Sequence, residues 1–264
     1  EMVKGGTQGK MMPMSLNFAL DNVDGEKALA YINDYEGQKK VFNDLVFQAR
    51  EEGYCMARWY FFDRSSVDGT ISVNNGGPIE AWDTGMDGTS VQDLVIVERL
   101  GIKIATDFVR FCRDKKIPGL ENCSLMRVGA NVGVRETRRI VGDYVFSEKD
   151  ATEGTKFEDA IVRRYGERID SQNLEISKNM VSGHQLPYRC LLPRGIEGLL
   201  VAGRCASYDQ VALTAGRSMG NMMALGQSAG VAAGLAALEK VTPRNLDVAK
   251  AQKALIDMGV DLGL

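Results

Sequence analysis

Glycines at a helix start, clustered arginines and a few proton-carrying side chains are the residues of this sequence best suited to ligand chemistry. The segment 199–203 predicts a short apolar strand that ends in glycine, and a helix that opens at Gly220 and Asn221 follows it. The first amides of a helix lack partners within it, and the aligned peptide dipoles leave about half a positive charge there. This end therefore favours an anionic or electron-rich ligand.

Arginines gather at Arg135, Arg138 and Arg139. If this stretch is a strand, Arg135 and Arg139 face one side and Arg138 faces the other. Two readings stay open at this point. The arginines could form a solvated or ion-paired face, or they could hold a carboxylate or pyrophosphate by bidentate hydrogen bonds. Arg217, just before the predicted helix, has the same two readings.

Few side chains of this sequence are candidates for proton transfer near neutral pH. His184 is the single histidine, which excludes a multi-histidine metal site within this chain, and Asp209 is a second candidate for proton transfer. The five cysteines form no C-x-x-C pair, which argues against a zinc site or a disulfide framework and favours a reducing, cytoplasmic compartment. We therefore predict no metal.

The elements that must position these residues show both helical and strand periodicity. Predicted strands, some joined by a hairpin at Asp68-Gly69, are 14–20, 54–62, 70–73, 125–128, 135–146 and 199–203. Predicted helices are 38–51, a long one capped by Ser90, about 220–239 and one after Pro243. Residues 1–12 predict a loop, and 147–150 and 157–164 predict short helical or turn pieces. The pattern indicates an α+β fold with a mixed or antiparallel sheet.

Composition excludes several partners. The net charge of -3, with basic residues spread along the chain, argues against nucleic-acid binding. No signal peptide is visible in residues 1–30. The 220–239 helix carries Asn221, Gln227 and Ser228 and is too weakly apolar to span a membrane. Its glycines at 226, 230 and 234 predict close backbone packing, whereas the aromatic run 59–62 predicts core.

Two long passages carry a family resemblance. "PYRCLLPRGIEGLLVAGRCASYDQVALTAGRSMGNMMALGQSAGVAAGLAA" and "GVRETRRIVGDYVFSEKD", with "GKMMPMSLNFALDNVD" and "IPGLEN" in matching order, cover nearly the whole chain. They resemble FAD-dependent oxidoreductases of the glutathione-reductase-like flavoproteins, which include fumarate reductase flavoprotein subunits. The resemblance implies FAD as cofactor and hydride transfer between a small organic substrate and flavin N5.

The resemblance also implies roles for particular residues. Cofactor contacts are expected from Gly203, Arg204, Gly220, Asn221 and Met222, with the helix end stabilising reduced flavin. Substrate grip or proton transfer is expected from the candidates named above: His184, Arg135, Arg138, Arg217 and Asp209.

Two positions depart from the family pattern. Arg204 stands where many relatives carry an acid that contacts the ribityl chain, and Gln210 stands where the related pattern has a histidine. A guanidinium at 204 could instead reach phosphate or substrate. Gln210 can hydrogen-bond but cannot shuttle a proton near neutral pH.

The strand–GxGxxG–helix unit that binds the rest of FAD is not in this sequence, since "KGGTQG" lacks the flanking elements. We expect residues 1–186 to form a substrate domain and 187–264 to complete the FAD-binding domain. Association with a missing N-terminal segment, a partner subunit or a second copy is expected. A fragment, a split subunit and a degenerate member stay open, the last as a non-catalytic module.

Overall fold

The computed structural model describes residues 1–6, 9–32, 38–164 and 183–264, so that Thr7 and Gln8 of "KGGTQG" lie outside the described residues. The strands are β1 Met2–Lys4, β2 Phe18–Asp21, β3 Tyr60–Arg64, β4 Ile71–Asn75, β5 Ser124–Val128, β6 Arg138–Ile140, β7 Ala160–Arg163 and β8 Gln185–Pro187. The helices are α1 Gly25–Ile32, α2 Gln38–Glu51, α3 Ile79–Thr84, α4 Val91–Asp114, α5 Glu148–Glu153, α6 Gln210–Gly216, α7 Met219–Glu239 and α8 Val248–Asp257. Helices combined with antiparallel strand pairs confirm the α+β class.

The chain divides into two compact units, which we call the sheet unit (residues 10–135) and the helix unit (residues 1–9 and 136–264). These boundaries differ from the division at 186/187 expected from the sequence. Because compactness alone assigns no function to either unit, the substrate and cofactor division stays a prediction.

An antiparallel sheet in the order β3-β4-β2-β5 organises the sheet unit. The predicted hairpin is present, with Phe62 opposite Val73 across β3 and β4. Phe18 of β2 pairs with Val73 on one side and with Val128 of β5 on the other. The alternating apolar residues of these strands therefore share one buried face.

Aromatic side chains form the core of the sheet unit. Phe108 of α4 lies 4.5 Å from Tyr60 and 5.5 Å from Phe18, between ring centroids. Phe42 of α2 meets Phe62 edge to face at 5.9 Å. Tyr60 and Phe62 are buried, so the predicted aromatic run is core at these two positions.

The predicted cap of α4 is half formed. Ser90 Oγ accepts from the Asp93 amide at 3.3 Å, as predicted, and the helix runs to Asp114. The Asp93 carboxylate does not return to Ser90; it accepts from the Asp87 amide at 2.7 Å. The side chain therefore ties the preceding loop to the helix start.

In the helix unit, short strands pair two by two. β1 pairs with β6, and β7 pairs with β8, both antiparallel. Ser228 of α7 donates to the Ile161 carbonyl at 2.7 Å, and Gln252 of α8 donates to the Ala160 carbonyl at 3.0 Å. Both helices are thereby fixed on β7.

Three predicted elements are wrong. Residues 199–202 form no strand, because no neighbouring strand in the described ranges supplies a ladder; Leu199 is exposed and the Val201 amide donates to Leu191 instead. The 157–164 segment holds strand β7, since apolar Ile161 and Val162 are both buried. Residues 2–4 of the predicted entry loop are strand β1.

A fourth prediction is correct only in part. The 135–146 stretch is strand only at 138–140, so the alternation that would align Arg135 with Arg139 does not hold. The two residues also fall in different units.

Candidate functional site

The amino-terminal end of α7 carries polar groups that its own unit leaves unused. Ser218 is the N-cap residue, but its side chain makes no capping hydrogen bond. Asn221 is only 6% exposed, and its Nδ2 has no hydrogen-bond partner in the described part of the chain. A buried donor left without an acceptor costs about 1–3 kcal/mol. The helix end therefore offers a buried amide, together with uncapped first-turn N–H groups, to a ligand.

Gly220 and Met222 flank Asn221. Gly220 is exposed, and a methyl group built there would contact nothing within 4 Å. The Met222 amide donates to the Ser218 carbonyl at 3.0 Å, which starts the regular helical hydrogen bonding. The predicted helix end is thus present, one residue earlier than expected.

Gly203 and Arg204 lie in a single 3₁₀ turn, Gly203–Cys205. Gly203 has a φ of 82°, a conformation that favours glycine. Arg204 is exposed. These two predicted cofactor residues therefore stand on a surface turn, and the strand expected before them is not formed.

Asp209 and Arg217 mark the two ends of α6. Asp209 is its N-cap: Oδ1 accepts from the Ala212 amide and Oδ2 from the Glu148 amide, each at 2.7 Å. One carboxylate therefore fixes the starts of both α6 and α5. Arg217 is the half-buried residue that follows the last turn of α6.

His184 is buried, with 5% of its surface exposed. Its ring stacks on Phe146, with centroids 5.5 Å apart and planes 19° apart. Its carbonyl accepts from the Arg164 amide at 2.9 Å. The predicted proton-transfer residue is therefore packed inside the helix unit.

The predicted arginine cluster is dispersed. Arg135 donates to the carbonyls of Pro13 and, at 3.2 Å, Asn75, and its guanidinium lies 5.9 Å from the centroid of the Trp59 ring. It thus ties the segment at Pro13 to the end of β4 within the sheet unit. Arg138 is exposed on β6 in the helix unit.

Gln210, the position where the related pattern has a histidine, donates through Nε2 to Glu136. Space around it is tight, because a methyl group built on Gly6 would overlap the Gln210 amide. The side chain is therefore part of the helix unit's internal hydrogen-bond network.

The segment that the resemblance places near the flavin is also fixed by internal contacts. Tyr188 donates to the Pro243 carbonyl at 2.9 Å, and burial raises its pKa to about 12. Arg189 makes a bidentate pair with Asp159 at 2.9 and 3.1 Å.

Sequence reasoning missed Arg164 and Tyr208. Both are buried, and the Arg164 Cζ lies 4.9 Å from the centroid of the Tyr208 ring. Burial raises the pKa of Tyr208, while the Arg164 charge acts in the opposite direction. No sequence signal marks them, since an arginine after Ile161-Val162-Arg163 looks like the exposed end of a strand.

Within the described ranges, no group of three or more His, Cys, Asp or Glu side chains is arranged to hold a metal ion. None of the helices in those ranges combines the length and apolar character that a bilayer crossing requires.

Comparison with known proteins supplies a family. Neither a search of the curated proteins nor a search of the solved structures found a match. A family model described as FAD dependent oxidoreductase matches residues 2–255. The match spans both units and includes the α7 end with its buried Asn221. This chain therefore belongs to the FAD dependent oxidoreductase family, whose members bind FAD.

Proposed function

We propose that this chain is the substrate-binding and flavin-closing part of an FAD-dependent oxidoreductase that moves hydride between a small organic molecule and flavin N5. Family membership supports flavin-linked redox activity. The resemblance to glutathione-reductase-like flavoproteins, including fumarate reductase flavoprotein subunits, suggests the narrower class. The observation that carries the proposal is the orphan Nδ2 of buried Asn221 at the start of α7.

The residues at this end fit a flavin on physical grounds. Asn221 has a donor without an acceptor, Ser218 leaves the first-turn amides uncapped, and the space at Gly220 is open. A helix N-terminus adds partial positive charge. Bound FAD would supply the hydride acceptor or donor, and these groups would orient its electron-rich edge by hydrogen bonds.

The remaining proposed contacts are those that the family resemblance implies. Exposed Arg204 would reach phosphate or substrate, and Gly203 would let the turn approach the cofactor closely. Arg138 and Arg217 stay the proposed substrate-carboxylate contacts, with Arg135 a weaker third because it already donates to two carbonyls of the sheet unit. Met222 is proposed to lie against the flavin.

His184 and Asp209 stay the proposed proton-transfer residues. Both have structural contacts that such a role must accommodate. Asp209 accepts from two helix starts, and His184 stacks on Phe146.

A covering partner is proposed from the outer face of α7. A methyl group built on Gly226, Gly230 or Gly234 of this face would contact nothing within 4 Å. Met223 and Leu238 on the same face are 73% and 80% exposed. Large apolar side chains exposed on one helix face are typical of a surface that another unit covers. We propose that a dinucleotide-binding unit, on an N-terminal segment or a partner chain, covers it.

A second candidate function is supported by that same face. A split or non-catalytic module derived from such an enzyme would also need a partner on α7. The two proposals differ in whether the completed assembly binds FAD and bleaches with a substrate.

The Asn221 site is tested by Asn221→Leu with Asn43→Leu, at an exposed position of α2, as control. Leu removes the orphan donor at similar volume, so we expect Asn221→Leu to raise the melting temperature without FAD. It should weaken FAD binding in equilibrium dialysis about three- to tenfold, the loss of one hydrogen bond. Unchanged FAD affinity in Asn221→Leu, or equal weakening by Asn43→Leu, would refute the assignment.

A further inference from the structure

Arg164 directly follows β7 and is almost completely buried, with 1% of its surface exposed. Aromatic rings surround its guanidinium: Cζ lies 4.9 Å from the Tyr208 ring centroid and 5.5 Å from that of Phe146. Its backbone amide donates to the His184 carbonyl at 2.9 Å, which fixes the start of the side chain. The charged group is therefore held in an apolar pocket of the helix unit.

The charge of Arg164 has little compensation there. Nη1 makes one long hydrogen bond, 3.4 Å, to the Ala212 carbonyl. Among the described residues, Arg164 forms no ion pair with a carboxylate, and Nη2 has no acceptor. Arginine cannot shed its proton to escape burial, unlike lysine or histidine. A buried, unpaired charge is strongly unfavourable unless an anion accompanies it.

A second orphan group lies beside it. The Tyr208 hydroxyl is buried and, in the part of the chain that the structure describes, makes no hydrogen bond of regular geometry; the neighbouring Arg164 side chain interacts with it and lowers its pKa, against the effect of burial. Tyr208 is 1% exposed. One cation and one hydroxyl, both unsatisfied donors in one cluster, match the two oxygens of a carboxylate.

Gly216 provides the room for this arrangement. A methyl group built on Gly216 would overlap the Arg164 guanidinium, so any larger residue at 216 would displace it. The free carbonyl groups at the end of α6 carry only partial negative charge, which does not balance the full charge of Arg164. A purely structural capping role for Arg164 would leave the Nη2 donors and the Tyr208 O–H donor without acceptors in the described part of the chain.

We infer that Arg164 and Tyr208 form a binding site for a small carboxylate inside the helix unit. The guanidinium would donate to one carboxylate oxygen and the Tyr208 hydroxyl to the other, with the Phe146 ring as an apolar wall. The site does not depend on flavin binding, so it can fail or succeed independently of the proposed redox function.

The test compares acetate with acetamide, which has nearly the same shape but no charge. The melting temperature of the 264-residue chain is measured against each, without FAD and with sodium chloride balancing the ionic strength. We expect acetate to raise the melting temperature in a saturable way and acetamide to have no such effect. Equal effects of acetate, acetamide and chloride would overturn the inference.

Variants separate binding from folding. Arg164→Met should abolish the acetate effect, and Arg194→Met, at an exposed position, should retain it. Gly216→Ala should also abolish it by displacing the guanidinium.

Tyr208→Phe removes a hydroxyl that makes no regular hydrogen bond to the described part of the chain, so it should fold normally and require about three- to tenfold more acetate for half the shift. An unchanged acetate midpoint in folded Tyr208→Phe, or an acetate effect retained in Arg164→Met, would contradict the site.

Discussion

Arg139 and Glu136 form a buried ion pair, with Nη1 of Arg139 2.6 Å from Oε2 of Glu136 and both side chains at most 3% exposed. The other guanidinium nitrogens of Arg139 donate to the carbonyls of Gly5 at 2.7 Å and Tyr208 at 3.1 Å. Arg139 thus connects β1, β6 and the segment before α6. Of the two interpretations of the arginine cluster, the ion pair is therefore the correct one for Arg139. The pair lies in the interior of the helix unit and not on an exposed face.

The first prediction concerns this pair. Glu136→Ala leaves the Arg139 charge buried without its partner, so we expect a loss of about 3–5 kcal/mol in the free energy of unfolding. Glu153→Ala breaks the exposed pair with Lys149, 4.0 Å apart, and should change stability by no more than about 0.5 kcal/mol. Urea unfolding measures both variants. Similar losses for the two would show that Arg139 finds another partner or water.

A second prediction concerns acid stability through Asp107. Burial pushes the pKa of this carboxyl up, but hydrogen bonds from Lys103 Nζ (2.7 Å) and the Cys55 amide (2.8 Å) outweigh it and hold the pKa below its ordinary value. The folded state therefore favours the ionised form. The Asp107 carboxylate stabilises the fold fully above its pKa in the unfolded chain, about 3.9. This stabilisation is lost as the pH falls through the lower pKa of the folded state.

The corresponding variant is Asp107→Asn. We expect this variant to have a lower free energy of unfolding than the native chain at neutral pH. The difference between the two free energies should become smaller below about pH 4. Asp44→Asn, at an exposed position of α2, serves as control. Urea unfolding across this pH range gives the answer; a difference that stays constant with pH would exclude Asp107 as the source.

Two glycines with positive φ provide a third prediction. Gly119 (φ 80°) and Gly53 (φ 90°) both favour glycine, but only at Gly119 would a methyl group overlap neighbouring backbone, that of Asp24 and Ala28. Gly53→Ala should cost about 1–2 kcal/mol from backbone strain alone. Gly119→Ala should cost about 2–5 kcal/mol, because overpacking is added. Equal losses in thermal unfolding would mean that the Gly119 turn can move away from α1.

The outer face of α7 gives a fourth prediction. Gly230 has open space around it, so Gly230→Ala should stabilise the purified chain by up to about 1 kcal/mol through helix propensity. Gly230→Leu should leave the chain folded but block close approach of another backbone. Sedimentation of the chain with its dinucleotide-binding partner, or with itself, would detect that block. Normal assembly of Gly230→Leu would place the partner elsewhere.

A fifth prediction is the colour of the purified chain. Because we propose that another unit makes most adenosine and pyrophosphate contacts, the chain alone should retain little flavin. Absorbance in the flavin bands should fall well below one equivalent after gel filtration. A stoichiometric yellow chromophore would contradict the proposed division of FAD contacts.

Local signals explain why several elements could be predicted. The α2 helix, the β3–β4 hairpin and the start of α4 depend on periodicity, Asp68-Gly69 and Ser90, all of which act within a few residues. The helix end at Gly220-Asn221 was predicted for the same reason. A strand at 199–203 was not, because strand formation needs a hydrogen-bonded neighbour, and apolar composition cannot supply one.

The sequence by itself determined the family, the α+β class and the polar helix start of α7, since these depend on residue types in order. Only the tertiary structure decided that Arg139 is an internal partner of Glu136, that Arg135 holds the end of β4 in the sheet unit, and that Asp209 caps two helices. It also decided that Arg164 lies buried beside Tyr208. Burial and pairing depend on which distant segments meet, and no local pattern in an arginine's neighbours encodes whether its charge faces water or the interior.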